Sequence, residues 1–399
     1  MDTQERAKDT RLGGQGLPRA LLPLLTASMG LSMFVLFALG ALGPTLLSDL
    51  GISRSQLGSL TAVAFGTASL LSLFSGHLTD LIGGRRALLI LLVTVAVVFA
   101  VLSAGDGYGW LLAGLVLAGG AQAFANPATN RLIAAHLPPE RRAGAVGVKQ
   151  SGVQFGAFAA GVLVPSLAAA TSWRTTLALV VPVALAAAAV AFVLPRDQPP
   201  EIAAARLKLP ERPNRAASWL ILYSLGVGTA LAALNTYLPL YAHEELGMGE
   251  RASGALIAAV GGSGIIARVV WTRVSGRLPD IGVPLLVLAA VAVCFVPLMP
   301  AATRLTWLVW VGAIGLGGSA VAANAVSMVA VVRSPAFGAT GHASALVSMG
   351  FFGGFVVGPL GFGLLADTSA GYPAGWAMAG LAFLVSVVSA FQVRRAVAR

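Results

Sequence analysis

Charge is what this sequence most lacks. Only 10% of its 399 residues are charged, while 57% are hydrophobic and the mean hydropathy is +0.84. An ordinary soluble domain carries about a quarter charged residues. The deficit excludes a water-soluble globular enzyme, a disordered chain and a coiled coil, and leaves no room for a catalytic domain. Cysteine is nearly absent as well: Cys294, inside an apolar run, offers no disulfide, zinc site or redox pair. The four histidines, His77, His136, His243 and His342, have no metal-ligand partners at useful spacing, so neither metal nor cofactor is expected. No phosphate-binding loop occurs, which argues against ATP as a driving force. Most telling, none of the 15 acidic residues falls inside an apolar stretch; all sit in loops or at helix ends.

What is present is a series of apolar runs, each close to the 20 or so residues that cross a bilayer as a helix. The runs are 20–47, 56–76, 87–104, 110–135, 145–170, 175–194, 217–241, 252–275, 283–302, 305–332, 343–366 and 375–393. Lipid-exposed backbone must satisfy its own hydrogen bonds, so these are expected to be twelve transmembrane helices of an all-α polytopic protein. The first run is too long for a signal peptide and lacks a small-residue cleavage pattern, so it reads as retained.

The net charge of +11 raises the question of nucleic acid, but its placement answers it. Nineteen basic residues collect on one side of the spans, against Arg54, Arg174, Arg251 and Arg304 on the other. The rich side is expected to be cytoplasmic, with both termini inside. Lipid bilayer, not nucleic acid, is the expected partner. Abundant Ala and Gly, with 23 arginines against three lysines, suggest a GC-rich bacterium and hence a bacterial inner (plasma) membrane. The proline-rich charged segment 195–216 reads as a cytoplasmic linker between two six-helix bundles, 20–194 and 217–393. The tails 1–19 and 394–399 flank them.

A repeat supports this division. Leu50-Gly51, Gly58 and Gly66 are matched by Leu246-Gly247, Gly254 and Gly262 at identical spacing. Gly119-Gly120 and Asn126 of span four are matched by Gly317-Gly318 and Asn324 of span ten. Gly144, Ser151, Gly156 and Gly161 of span five are matched by Gly341, Ser348, Gly353 and Gly358 of span eleven. Equivalent spans lie six apart, an even number, so the halves insert as parallel repeats.

Between spans two and three the chain reads Gly76-His77-Leu78-Thr79-Asp80-Leu81-Ile82-Gly83-Gly84-Arg85-Arg86, with a degenerate copy at Gly276-Arg277-Leu278-Pro279-Asp280. This resembles the loop signature of the major facilitator superfamily, and Gly354, Gly358-Pro359 and Gly361 resemble that family's glycine-proline packing motif. The resemblance implies a transporter whose two bundles rock about a central site lined by spans one, four, seven and ten. It departs from the pattern at Leu81, where a basic residue is usual. Gly114 and Leu115 stand where many proton-coupled exporters carry an arginine. Gly76, Asp80, Gly83, Arg85, Arg86 and Arg131 are the expected gating residues. Asp80 could accept from amides at a helix start, which the resemblance places at the start of span eleven. Arg85, Arg86 or Arg131 could bind the same carboxylate. Arg85 and Arg86 also fit a purely orienting role.

Polar groups inside a membrane are costly and therefore mark candidate sites. The intramembrane cations are Arg268, two turns from the cytoplasmic end of span eight, Lys149, one turn into span five, and Arg131 near the cytoplasmic end of span four. No acid lies at similar depth, so an anionic substrate is expected to supply the counter-charge. Arg131 and Lys149 could instead snorkel, and Lys149 shares a face with Gly152 and Gly156 that could be a packing seam. Gln122, Asn126 and Asn130 form one stripe on span four, and Gln150 and Gln154 another on span five. Asn235 and Asn324 lie on spans that line the cavity by resemblance. The expected substrate site is Arg268, Lys149, Gln122, Asn126, Asn324, Asn235, Gln150 and Gln154. Phe34, Phe37, Phe351 and Phe352 could close the cavity. Trp110, Trp173, Trp219, Trp307 and Trp376 are expected as interface anchors.

The reading is a secondary transporter of a small organic or inorganic anion, with a coupling ion and the oligomeric state left open. The alternatives are an efflux pump for apolar compounds and a non-transporting membrane receptor or scaffold.

Overall fold

The computed structural model describes residues 20–195, 213–338 and 340–397, apart from side chains at 73, 139, 140, 143 and 340–342. The expected tail 1–19, most of the expected linker 195–216 and the last two residues lie outside the described residues. Among the described residues there is no strand, and every expected span is helical.

Span one is Leu21–Ala41, continued by Gly43–Leu50. Spans two to five are Arg54–Ile82, Gly84–Ala104, Tyr108–His136 and Pro139–Ala170. Span six is Trp173–Ala178 followed by Val180–Val193. Spans seven and eight are Arg215–Glu244 and Glu250–Arg277. Span nine is Gly282–Phe295 with Leu298–Ala301. Spans ten to twelve are Leu308–Arg333, Thr340–Ala366 and Gly371–Val397. Eleven of these are long and apolar enough to cross a membrane, and span two, taken as Arg54–Ser72 with Phe74–Ile82, makes twelve. The chain is a multi-pass membrane protein with residues 21 and 397 at the same end, here called the terminal end.

Several helices outrun their apolar runs, because caps rather than hydropathy set their ends. Span two starts at Arg54 because Ser53 and Gln56 form a reciprocal capping box, satisfying two amides that would otherwise lack partners. Ser172 caps span six and Asn214 caps span seven, each by a side-chain oxygen that accepts from one backbone amide. Gly83 ends span two with φ of 88°, a conformation that side chains disfavour, and span three begins at the next residue.

Glycine seams hold each half together. In the first half, spans one and five meet where a Cβ on Gly152 would stand 1.9 Å from the Thr26 carbonyl oxygen. In the second, the equivalent spans seven and eleven meet where a Cβ on Gly358 would stand 2.0 Å from the Thr229 carbonyl oxygen. Small residues let membrane helices approach by backbone, as the sequence repeat implies.

Two tryptophans differ from expectation. Trp110 and Trp307 are exposed, as interface anchors should be, but Trp173 and Trp376 are buried. Trp173 donates to Asp49 at 3.0 Å, and Trp376 packs edge-on against Tyr241 and Phe362. Sequence depth places an indole near the interface but does not say which way its helix face turns.

Candidate functional site

Span four carries Pro127 within a helix that continues through it, with Asn126 just before it and Thr129 two residues after. Span five packs alongside and brings Lys149 and Gln150 to the same depth. The Lys149 ammonium donates to Thr129 Oγ1 at 2.6 Å and to Asn126 Oδ1 at 3.2 Å, and Gln150 Nε2 donates to that same Asn126 oxygen at 2.8 Å. Lys149 is fully buried, so it does not snorkel. Its neighbours Gly152 and Gly156 do form the seam with span one, so the shared face serves packing while the lysine head turns to span four.

Span eight reaches this cluster from the other half. Arg268 Nη1 donates to the Gln150 carbonyl at 3.3 Å, while its Nε is buried without a partner. A cation at mid-membrane costs about 2.5–3.5 kcal/mol on insertion scales. Among the described residues the ion pairs are Arg54–Glu244, Arg131–Asp80, Arg174–Asp106 and Arg394–Asp280, all at helix ends. Lys149 and Arg268 therefore have only neutral partners.

The structure thus joins Arg268, Gln150, Asn126 and Lys149 into one layer across the halves. It does not bring the other expected site residues into that layer by hydrogen bonds. Gln122 borders a separate, small apolar pocket also lined by Ser32, Met33, Leu36 and Phe65, and its Oε1 is buried without a partner. Gln154 and Asn235 are buried with unpartnered carbonyl oxygens. The Asn235 backbone abuts Gly40 of span one, which fits a packing role. Asn324 is partly exposed, and its backbone accepts from Ser327. Asn130 is exposed. Thr129, the lysine's nearer partner, was not singled out by sequence; it is one residue off the Gln122–Asn126–Asn130 stripe.

At the terminal end, Arg131 holds Asp80 at 2.6 Å, one of the three partners the sequence allowed. Arg85 donates to the Phe192 carbonyl and lies over its ring. The expected amide donors at the start of span eleven adjoin residue 339, outside the described residues. Gly83 needs its positive φ, but Gly76 has open space where a Cβ would stand, so close approach does not require glycine there. Asp80 is 63% exposed, so solvent screening leaves its pair worth under about 1 kcal/mol. Asp80→Asn is expected to lower the melting temperature of purified protein by no more than about 2 °C, read by thermal denaturation.

Contacts between the halves run from the opposite end to mid-depth. Arg54 of span two pairs with Glu244 of span seven at 2.8 Å and donates to the Ala366 carbonyl, while Tyr372 donates to Glu244 at 2.6 Å. The Ser55 amide donates to Asp367 at 2.9 Å. Tyr237 Oη lies 2.6 Å from the Arg54 carbonyl and 3.0 Å from that of Pro359. Deeper, Thr61 meets Thr236, and Phe65 packs on Phe352 and Phe355. Of the expected closing aromatics, Phe352 lies at this seam with Phe351 beside it, whereas Phe34 packs on Phe99 and Phe37 is buried. Nearer the terminal end, Gly76, Gly144, Gly147 and Gly276 face open space. The halves are joined at the opposite end by these pairs.

Comparison with known proteins agrees with this architecture. A model of the Major Facilitator Superfamily matches residues 25–339. A hexuronate transporter of Bacillus subtilis (strain 168) is 26% identical over 165 residues, 41% of this chain and 39% of that protein's length. A bacterial homologue of the human lysosomal transporter Spinster, solved inward-facing and occupied, superposes with a TM-score of 0.68 at 17% identity, covering 97% of this chain and 96% of its own. A mutant of the nucleoside transporter NupG superposes with a TM-score of 0.74 at 15% identity, covering 94% and 99%. At such identities these structures speak for the fold alone.

Proposed function

Because the chain belongs to the major facilitator superfamily, we propose that it is a secondary transporter that moves a small organic anion of the sugar-acid type across a bacterial inner membrane. One observation carries the anion reading: two cations, Lys149 and Arg268, stand inside the spans with neutral partners only, one on each half. By sequence, every acid lies in a loop or at a helix end. A carboxylate cargo supplies the charge they lack, and it touches both halves at once, as a ligand that moves with alternating access must. The partial likeness to a hexuronate transporter is consistent with this.

In this reading the terminal end is cytoplasmic, by its excess of basic residues. Arg268 and Lys149 hold the carboxylate. Asn126 and Gln150 set its position, and Gln122 and Asn324 contribute as the cavity narrows. Asp80 and Arg131 form a latch on the inner side, with Gly83 shaping the turn. A second reading, export of apolar compounds, draws on the pocket beside Gln122 and Phe65, whose lining is almost wholly apolar.

Counterflow separates the two. Vesicles containing purified protein and loaded with unlabelled D-glucuronate are expected to take up labelled glucuronate transiently above its equilibrium level, and to ignore a hydrophobic dye. Dye flux with no glucuronate counterflow would sink the anion reading and favour the second. Flux of neither would return the protein to the receptor class.

A further inference from the structure

At the terminal end of the second half, spans ten and twelve and the loop from span eight to span nine enclose a cavity remote from Lys149. Among the described residues it measures about 450 Å³ and is lined by Asp280, Ile281, Arg333, Ser334, Arg394 and Val397. That is the size of a small-ligand site, about 300–1,000 Å³. Two guanidiniums face one carboxylate there. Arg394 Nε donates to Asp280 Oδ2 at 2.5 Å, and the Gly282 amide donates to Oδ1 at 2.9 Å. Both oxygens of Asp280 are therefore engaged. A Cβ on Gly282 would stand 2.7 Å from Arg394 Cβ, so glycine lets the start of span nine close against the arginine. Arg333 Nη1 donates to the carbonyls of Ser275 and Leu278. Carbonyls satisfy its N–H groups but carry no full charge, so one positive charge in the cavity stays uncompensated.

The surroundings add charge of the same sign. Arg273, Arg277 and Arg395 are exposed at this end. Asp280 is the sole acid between Arg251 and Ala366, and no acid follows Asp367. The positive-inside rule accounts for arginines here, but it asks only for charge, not for a cavity between charges. A second feature leads to the same place from within the membrane. Leu381, Leu384, Val388 and Phe391 are exposed at helical spacing, so they form one apolar stripe on span twelve. From Leu381 to Phe391 a helix rises about 15 Å, half of the roughly 30 Å hydrocarbon core. The stripe ends on Arg395, whose guanidinium lies 4.3 Å from the Phe391 ring centroid. Arg395 adjoins Arg394, which lines the cavity. An acyl chain laid along the stripe brings its own headgroup to that level.

We propose that this cavity holds the phosphodiester of an anionic phospholipid, with one acyl chain along span twelve. Basic pockets between membrane helices at the cytoplasmic side take such headgroups. The Arg394 side chain is 48% exposed, so a phosphate reaches its fork and shares it with Asp280. Ser334 Oγ accepts from the Ala336 amide and keeps its own proton to donate to the phosphate. A zwitterionic headgroup brings its own cation among the arginines and gains less. The bound lipid ties together the ends of spans ten and twelve and the loop after span eight, all in the second half. It stands whatever cargo the protein carries.

The test is native mass spectrometry of the detergent-purified full chain, titrated with phosphatidylglycerol or phosphatidylcholine. One unit of charge at a headgroup site changes affinity about fivefold. The first phosphatidylglycerol should therefore bind at least about fivefold more tightly than the first phosphatidylcholine. Arg394→Gln, which keeps a donor for Asp280, should weaken phosphatidylglycerol binding about fivefold, and Arg394→Lys should recover most of it. Asp280→Asn removes the competing charge and should tighten binding by a similar factor. A variant that merely damaged the fold would weaken binding in either case, so opposite signs report the charge of the cavity. Arg141→Gln, exposed at the same end of the first half, should bind as the native protein does. Equal binding of the two lipids, or equal weakening by Arg394→Gln and Arg141→Gln, would overturn the site. Displacement of the lipid by glycerol 1-phosphate at equal concentration would overturn the lipid assignment in favour of a soluble phosphate ester.

Discussion

Arg268→Ala should lower glucuronate affinity and counterflow by about thirtyfold or more. Removing one member of a desolvated, hydrogen-bonded charge pair costs about 2–5 kcal/mol, and 2 kcal/mol is already about thirtyfold. The loss should fall on binding and not on folding. In the empty protein the guanidinium has one weak bond to the Gln150 carbonyl and a buried, unpartnered Nε, so its removal should leave the melting temperature unchanged or raise it. Arg268→Lys should fall between, because it keeps the charge but loses the planar fork that grips a carboxylate. Counterflow in the alanine variant equal to that of the native protein would remove Arg268 from the site.

Gly58→Val should be as damaging by an unrelated route. A Cβ on Gly58 would stand 2.2 Å from the Pro359 carbonyl oxygen and 2.3 Å from Tyr237 Oη; one on Gly363 would stand 2.2 Å from that same hydroxyl and 2.8 Å from the Arg54 carbonyl oxygen. The obstructing atoms are mainly backbone, on the other half, and can retreat only if the halves part. Overpacking costs about 1–3 kcal/mol in ordinary cores. Applied to a two-state balance, about 3 kcal/mol is a shift of roughly 150-fold. Transport should fall more than about tenfold because closure at this end is blocked. Spin labels at Thr171→Cys and Thr303→Cys, in a Cys294→Ser background, should report a longer separation across that end. Gly66→Ala, where a Cβ meets open space, is the control and should transport normally. An unchanged label distance in Gly58→Val would mean that the seal tolerates a side chain there.

Much of this was legible in the sequence. Apolar length gave the spans, and glycine spacing gave the repeat; the repeated span pairs, one with five and seven with eleven, each pack along a glycine seam. The missing acids pointed to Lys149 and Arg268 before any geometry. What was not legible depends on helix rotation and on long-range pairing. Nothing local says that the stripe bearing Gln150 turns toward Asn126 while Gln122 turns toward a separate pocket. Arg54 and Glu244 are 190 residues apart, and single residues at helix ends carry no pattern that predicts such a pair. Trp173 and Trp376 misled for the same reason: distance along a helix fixes depth, while azimuth belongs to the packed molecule.

The contact of Gly58 with the Pro359 carbonyl has a further meaning for descent. A closure made from main-chain atoms against a missing side chain asks almost nothing of the residues beside it. Their identities can drift through generations of substitution while the join keeps its shape.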